Sequence, residues 1–346
     1  MSNQNPFIIS FSEARNEEDL AKCIGTTSNL LKQVAFSENK YKFYKLHKIP
    51  KLGKKFKSWH RKDYRMPYNL DKMGNLKSDY DNKYRLVWEI LDEDLKQAHK
   101  NFSRRFNDFA LSKGCIHEAA YGYVKKVGIL NNAQVHSGVP LLLSADISNF
   151  FPSITGETLA KAFKKLNLNT DIIQTLVGFL TIDNSLPLGF NSSPMLANIV
   201  CYELDKQIND LASRYGCKYT RYADDISISG SEGLPKKKEL SDIIQQEKFT
   251  LSESKFRITK IGQAHYVTGL SISDNTPHAP RSFKKKLRQE LYYCKKFGIK
   301  SHLLKLLGGS NEECLMGGEG IEIQRGINRI HGTVCYVSHI EESPSF

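Results

Sequence analysis

The sequence predicts an α+β fold in which a small antiparallel sheet carries acidic residues among helices. Three observations point to it. Pro140-Leu141-Leu142-Leu143-Ser144-Ala145 is an apolar run of strand length that ends in Asp146. Two short β-like runs, Lys218-Tyr219-Thr220-Arg221 and Ile226-Ser227-Ile228-Ser229, flank Tyr222-Ala223-Asp224-Asp225 and read as a hairpin. Elsewhere, apolar residues recur at helical spacing.

The elements follow in chain order. Leu20, Ile24, Leu30, Leu31 and Val34 give residues 1–40 a helical pattern, an N-terminal extension. Residues 41–80 are basic, aromatic and punctuated by Gly and Pro. Residues 84–113 read as helix, with Leu91, Leu95, Ala98, Phe102, Phe106 and Phe109 on one stripe, although Arg85 to Trp88 also has a strand-like pattern. After Asp146, Phe150 and Phe151 read as extended, so their side chains face opposite ways. Thr155 is placed to cap a helix with an apolar stripe at Leu159, Ala162, Phe163 and Leu166. Ser192-Ser193-Pro194 opens another with hydroxyl caps and an early proline, and Met195, Leu196, Ile199 and Leu204 form its apolar face. Beyond Pro277 and Pro280 the chain is helical and basic, broken at Gly308-Gly309-Ser310 and Gly317-Gly318.

Adjacent carboxylates at a hairpin tip repel, and each raises the other's pKa unless a cation intervenes. Hard divalent cations are the usual partner of such oxygens. An Asp-Asp pair alone also fits a plain turn, where aspartate bonds its own backbone. Asp146 strengthens the metal reading. Strands bearing Asp146 and Asp224-Asp225 side by side would supply three carboxylates for two ions about 3.5–4 Å apart.

Five blocks, in order, resemble the reverse transcriptases, and two of them resemble the retron branch of that family. They are Asn132-Ala133-Gln134-Val135-His136, Asp146 with Phe150-Phe151, Leu186-Pro187-Leu188-Gly189, Tyr222-Ala223-Asp224-Asp225, and Val267-Thr268-Gly269-Leu270. The resemblance implies a right-hand polymerase of fingers, palm and thumb, with an antiparallel palm sheet and a helical thumb. It divides the chain into the extension (1–40), fingers with a basic and aromatic insertion (41–139), palm (140–275, with finger helices at 155–180) and thumb (276–346). One departure stands out: Leu188 replaces the glutamine usual in its block, and leucine neither donates nor accepts a hydrogen bond.

The resemblance further implies RNA-directed DNA synthesis using two Mg2+ ions, with Mn2+ able to substitute. Asp146, Asp224, Asp225 and the Ile147 carbonyl are the expected metal ligands. Lys255 is a general-acid candidate near the pyrophosphate, or else a solvated lysine. Lys83 and Arg85 are expected to hold the triphosphate, Arg85 in bidentate fashion. Gly189 allows close backbone approach, Leu188 borders the nucleotide, and Phe151 would clash with a ribose 2′-hydroxyl unless it is simply core. Asn132 and His136 either contact RNA or brace the fingers. Val267, Thr268 and Gly269 either recognise the RNA or form a strand-to-turn element.

Composition adds a partner class. Lys and Arg number 50 against 37 Asp and Glu, a net charge of +13. Basic residues cluster at 40–65, interleaved with Tyr41, Tyr44, Phe56, Trp59 and Tyr64, and again at 281–300. Such runs suit phosphate backbones and unpaired bases, though a charge run is also what a solvated face looks like. The expected partners are a structured noncoding RNA serving as template and primer, its DNA product, dNTPs and an effector protein. No membrane is expected, and scattered cysteines without a Cys-x-x-Cys pair suggest a reducing cytoplasm. The expected setting is bacterial anti-phage defence. Two other readings remain: a defence-associated reverse transcriptase with different priming or product, and a catalytically idle RNA-binding scaffold.

Overall fold

The computed structural model of this chain describes residues 10–50, 66–67, 84–307 and 319–341. Two short helices come first, α1 (Glu17–Ile24) and α2 (Ser28–Ala35), opened by Asn16 and Thr27, whose side chains accept from Asp19 and Leu30 amides. A sheet follows, formed by β1 (Tyr44–Pro50), β2 (Met66–Pro67) and β3 (Tyr84–Ile90) in the order β2-β1-β3. Then comes the helix α3 (Glu93–Ser112).

The expectation of helix throughout 84–113 is corrected here. Trp88, Val87 and Leu86 pair across β1 with Leu46, His47 and Lys48. Helix begins only after Asp92, whose Oδ1 accepts the Leu95 amide at 2.7 Å. Aromatic and β-branched residues favour the pleated strand, and aspartate at the boundary stabilises the helix start. Leu91 lies outside the helix and is exposed.

The centre of the molecule is a second sheet. After α4 (Ile129–Val135), β4 (Leu141–Asp146) enters it, followed by α5 (Phe150–Ser153), α6 (Gly156–Lys165), α7 (Thr170–Leu180), α8 (Ser193–Val200) and α9 (Tyr202–Arg214). The hairpin β5 (Lys218–Tyr222) and β6 (Asp225–Gly230), helix α10 (Lys237–Gln246) and β7 (Arg257–Lys260) complete it. The strand order is β5-β6-β4-β7, and every pairing is antiparallel. A two-stranded ribbon, β8 (Tyr266–Val267) and β9 (Leu270–Ser271), leads to α11 (Arg281–Phe297), α12 (Ile299–Leu307) and α13 (Glu319–Ile340). The glycine breaks at 308–310 and 317–318 lie outside the described residues.

One large core joins the N-terminal helices, α3, α6 to α9 and the main sheet, through Ile24, Leu31, Phe102, Phe163, Phe179, Leu196 and Ile228. The N-terminal helices are therefore packed into this core. A smaller core gathers Ala133, Leu142, Val267, Leu270, Leu287 and Val337, seating the C-terminal helices against β4 and the ribbon. Among the described residues no helix is long and apolar enough to cross a membrane.

Two local expectations change. Phe150 and Phe151 lie in a short helix after Asn149, whose φ is 48°, so the segment is not extended and both rings are buried. Ser192 precedes α8 without a side-chain capping bond; its hydroxyl is buried with no partner, whereas Ser193 Oγ donates to the Pro187 carbonyl at 2.6 Å. Leu204 belongs to the next helix, α9.

Candidate active site

The acidic residues meet because two strands are paired in one register. Leu142, Leu143 and Ala145 bury β4 between its neighbours, which makes it a central strand, and Asp146 ends it. Asp146 stands directly opposite Asp225 of β6. The Ile147 amide donates to the Asp224 carbonyl at 2.9 Å, one step beyond that pair. This makes 146/225 a non-hydrogen-bonded pair, the arrangement that brings opposing side chains closest.

The β5–β6 connection has two residues, Ala223 and Asp224. Only Ala223 of these has a positive φ, 58°. That is the pattern of a type II′ turn, in which glycine normally takes the first central position. Alanine there is strained by roughly 1 kcal/mol or more. Buried Arg221 offsets the strain: its Nη1 donates to the Ala223 carbonyl at 3.0 Å.

Electrostatics at this edge follow from crowding. Asp146 is buried, and burial raises its carboxyl pKa; the Lys255 ammonium, paired with its Oδ2, opposes this, while the Asp224 carboxylate adds to it. Asp225 is open to solvent on one side, yet its pKa is raised to about 6 by desolvation, then by Asp224 and Asp146, with Lys255 opposing. Three mutually repelling carboxylates on one sheet edge are, in kind, a donor set for hard divalent cations. Even so, among the described residues no three His, Cys, Asp or Glu side chains converge as a formed metal centre. The Lys255 ammonium supplies the positive charge beside Asp146 instead.

Around this edge the other expected residues fall as follows. Ile147 is buried beside Asp146. Phe151 stacks at a tilt on Tyr123, with ring centroids 6.3 Å apart. Arg85 is exposed on β3, and its charge reaches the Tyr123 hydroxyl, as does that of Asp224. Burial first, then Asp224, raises the Tyr123 pKa, and Arg85 opposes. The Leu188 carbonyl accepts the Trp88 amide at 2.8 Å, which fastens β3 to this loop. Gly189 has φ 116°, and a Cβ there would lie 2.3 Å from the Trp88 carbonyl oxygen, so only glycine fits. Lys83 lies outside the described residues, as do Phe56, Trp59 and Tyr64.

The upstream block lies beneath the sheet rather than in the open. His136 is buried, its Nδ1 in a 2.7 Å hydrogen bond with Ser229 Oγ and its Nε2 in another of 2.7 Å with Thr220 Oγ1. Burial first, and then the Lys218 charge, lowers its pKa to about 3. Asn132 is buried nearby on α4, and its Oδ1 has no partner. Neither side chain reaches a surface, and the His136 bonds fall on β5 and β6 of the main sheet rather than on the β1–β3 sheet. Thr268 and Gly269 form the tip of the ribbon, with φ of 47° and 81°. They are turn residues, not strand residues, and Thr268 Oγ1 donates to the Ile129 carbonyl at 3.1 Å. Val267 is buried in the smaller core.

The basic runs divide in the same way. Tyr44 is buried in the large core and so is not a stacking surface, and Tyr41 packs on Trp88. On α11, Lys285, Lys286, Lys295 and Lys296 are exposed, while Lys284 is tied to Glu341 at 3.0 Å. Sequence reasoning missed Arg221 and Tyr123. A lone arginine inside a strand and a left-handed tyrosine leave no periodic or compositional signal.

A family profile described as Reverse transcriptase (RNA-dependent DNA polymerase) matches residues 72–295. The chain is 35% identical over 176 residues to the retron Ec86 reverse transcriptase of Escherichia coli, covering 50% of this chain and 55% of that protein. It is 28% identical over 218 residues to the retron Mx162 reverse transcriptase of Myxococcus xanthus, covering 52% and 45%. It is 25% identical over 261 residues to the retron Se72 reverse transcriptase of Salmonella heidelberg, covering 71% and 66%. The chain spans about half the length of several curated relatives it matches.

Proposed function

This chain belongs to the reverse transcriptase (RNA-dependent DNA polymerase) family, and from that premise we propose that it is an RNA-directed DNA polymerase of the retron type. The observation that carries the proposal is the register that sets Asp146 opposite Asp225, with Asp224 next in the turn, at one sheet edge inside the matched region. We read the β5-β6-β4-β7 sheet as the palm, α6 and α7 with the β1–β3 sheet as fingers, and α11 to α13 as the thumb.

Asp146, Asp224, Asp225 and the Ile147 carbonyl would hold two Mg2+ ions, with Mn2+ able to substitute. When bound, such ions activate an attacking 3′-hydroxyl and neutralise the triphosphate. The protein's own residues have separate tasks. Lys255 holds a proton at Nζ beside Asp146 and would deliver it toward the leaving pyrophosphate. Arg85 would grip triphosphate oxygens from β3. Phe151, packed at a tilt against Tyr123, would wall off the space a ribose 2′-hydroxyl needs and so favour dNTPs. The exposed lysines of α11 would follow a nucleic-acid backbone.

The relatives' names support the retron type alone; we further propose a structured noncoding RNA as template and primer, an anti-phage setting in the bacterial cytoplasm and an effector partner. The test is primer extension on an RNA template with dNTPs and Mg2+, comparing wild type with Asp224→Asn. Equal activity in the two rejects the assignment. Sequencing the nucleic acid that co-purifies separates the retron reading, which expects branched RNA-linked DNA, from a related reverse transcriptase making unbranched or repeat DNA. The limited span over its relatives favours keeping that second reading.

A further inference from the structure

Arg221 is fully buried, one residue before the acidic turn. Its Nε and Nη2 donate to Asp205 Oδ1 and Oδ2, each at 2.7 Å. Nη2 also donates to Asn198 Oδ1 at 3.1 Å, and Nη1 donates to the Ala223 carbonyl at 3.0 Å. Tyr219 adds a hydroxyl bond to Asp205 Oδ1 at 2.7 Å. Asn198 Nδ2 in turn donates to the Gly122 carbonyl at 2.8 Å. The backbone of Gly122 lies flat on the turn, and a Cβ there would sit 2.5 Å from the Ala223 nitrogen.

A buried ion pair is weak evidence for stability, because apolar residues of similar volume often do as well or better. What this one supplies is direction. A guanidinium is a rigid planar fork, so seating two nitrogens on Asp205 fixes where the third points. That third nitrogen holds the carbonyl of the residue in the strained left-handed conformation. The turn is thus gripped at its carbonyl by Arg221 and pressed at its amide by Gly122. The next two residues are Asp224 and Asp225, and Asp224 is tied onward to Ile147.

We propose that Arg221, oriented by Asp205, is a positioning residue that sets the Ala223 turn and thereby aims the Asp224 and Asp225 carboxylates. The inference rests on the nucleotidyl-transfer reading. Its test compares wild type with Arg221→Lys and with the apolar replacement Arg221→Met/Asp205→Leu/Tyr219→Phe, which removes the ion pair and the Tyr219 hydroxyl together while Asn198 keeps its bond to the Gly122 carbonyl. Three quantities are measured: melting temperature, Mn2+ affinity by electron paramagnetic resonance, and kcat and KM for dNTP in primer extension.

The apolar replacement is expected to melt within a few degrees of wild type. Its kcat is expected to fall about 100-fold, as misplacement by about 1 Å can do, with dNTP KM within about threefold and Mn2+ affinity about tenfold weaker, the scale of a lost outer-shell partner. Arg221→Lys keeps the charge, loses the fork, and should fall in the same direction. Wild-type kcat and Mn2+ affinity in the folded triple variant would overturn the proposal and leave a merely structural pair. Should the triple variant not fold, Arg221→Lys read on its folded fraction decides by the same two quantities. Should wild type itself extend no primer, the parent reading fails, and unchanged Mn2+ affinity across the variants overturns the positioning role separately.

Discussion

Asp146 faces Asp225 across the β4–β6 ladder, while Lys255 reaches in from the loop before β7 to pair with Asp146. Two like charges and one opposite charge therefore share a sheet edge, and their balance gives the first two predictions.

Asp225 holds its proton to about pH 6, against an ordinary value of 3.8. A raised folded pKa means its contribution to stability is fullest below about pH 4, near the unfolded value, and is lost as pH rises through 6. In EDTA, Asp225→Asn should therefore melt higher than wild type at pH 7.5, and the difference should vanish by pH 4. Adding Mg2+ should stabilise wild type more than the variant, because a ligand stabilises according to its affinity for the native state and the variant has one carboxylate fewer to offer. Thermal unfolding over this pH range, with and without Mg2+, checks both statements.

Lys255 has a half-exposed side chain, so its pair with Asp146 adds little to stability. Lys255→Met should leave melting nearly unchanged while lowering kcat by about 10²-fold, the scale of a lost general acid. Single-turnover extension measures the second effect without product release.

Gly122→Ala should fold but lose at least about tenfold in kcat, because its new methyl would have to displace the Ala223 amide. Primer extension beside circular dichroism tests this. Normal activity would show that the turn tolerates movement.

Two buried histidines contribute to the acid limb. His99 and His136 have pKa values lowered to about 3, both chiefly by burial, with Lys40 and Lys218 respectively adding to it. A depressed histidine contributes stability that is present above the unfolded value of about 6.5 and lost as pH falls below it. The two differ in their partners. His136 has both ring nitrogens bonded, whereas His99 has neither, and it stacks on Phe179 at 4.2 Å. His136→Ala should cost about 2–4 kcal/mol. His99→Phe should be neutral or stabilising by about 1 kcal/mol, and should flatten the loss below pH 6.5. Urea titrations at pH 7.5 and 5 separate the pair.

The legible parts of this molecule were those with local signals. The apolar run to Asp146, the hairpin around Asp224 and the Thr155-capped stripe each declare themselves within a few residues. What escaped depends on distant partners. The strand at Arg85 to Trp88 is set by pairing with β1, and the Asp92 cap was the available cue for the helix boundary. Asn149 turns the Phe150-Phe151 segment into a helical turn through a left-handed φ that sequence does not announce. His136 fits either an RNA contact or a structural role from sequence, because its partners, Thr220 and Ser229, lie more than eighty residues away. Arg221 gives no local signal either, since its partners Asp205 and Asn198 sit on the helices α9 and α8 and not in its own hairpin.

The matched region begins at residue 72, yet Leu20, Ile24, Leu31 and Val34 are fully buried against residues inside it. Lys40 reinforces this seating by donating to the Gly178 and Thr181 carbonyls at the end of α7. Trimming the protein to its recognisable portion would strip the lid from a greasy floor made by Phe102, Phe106 and Phe179. A shortened version built from 72 onward should clump, whereas one that keeps the first helices should stay dispersed.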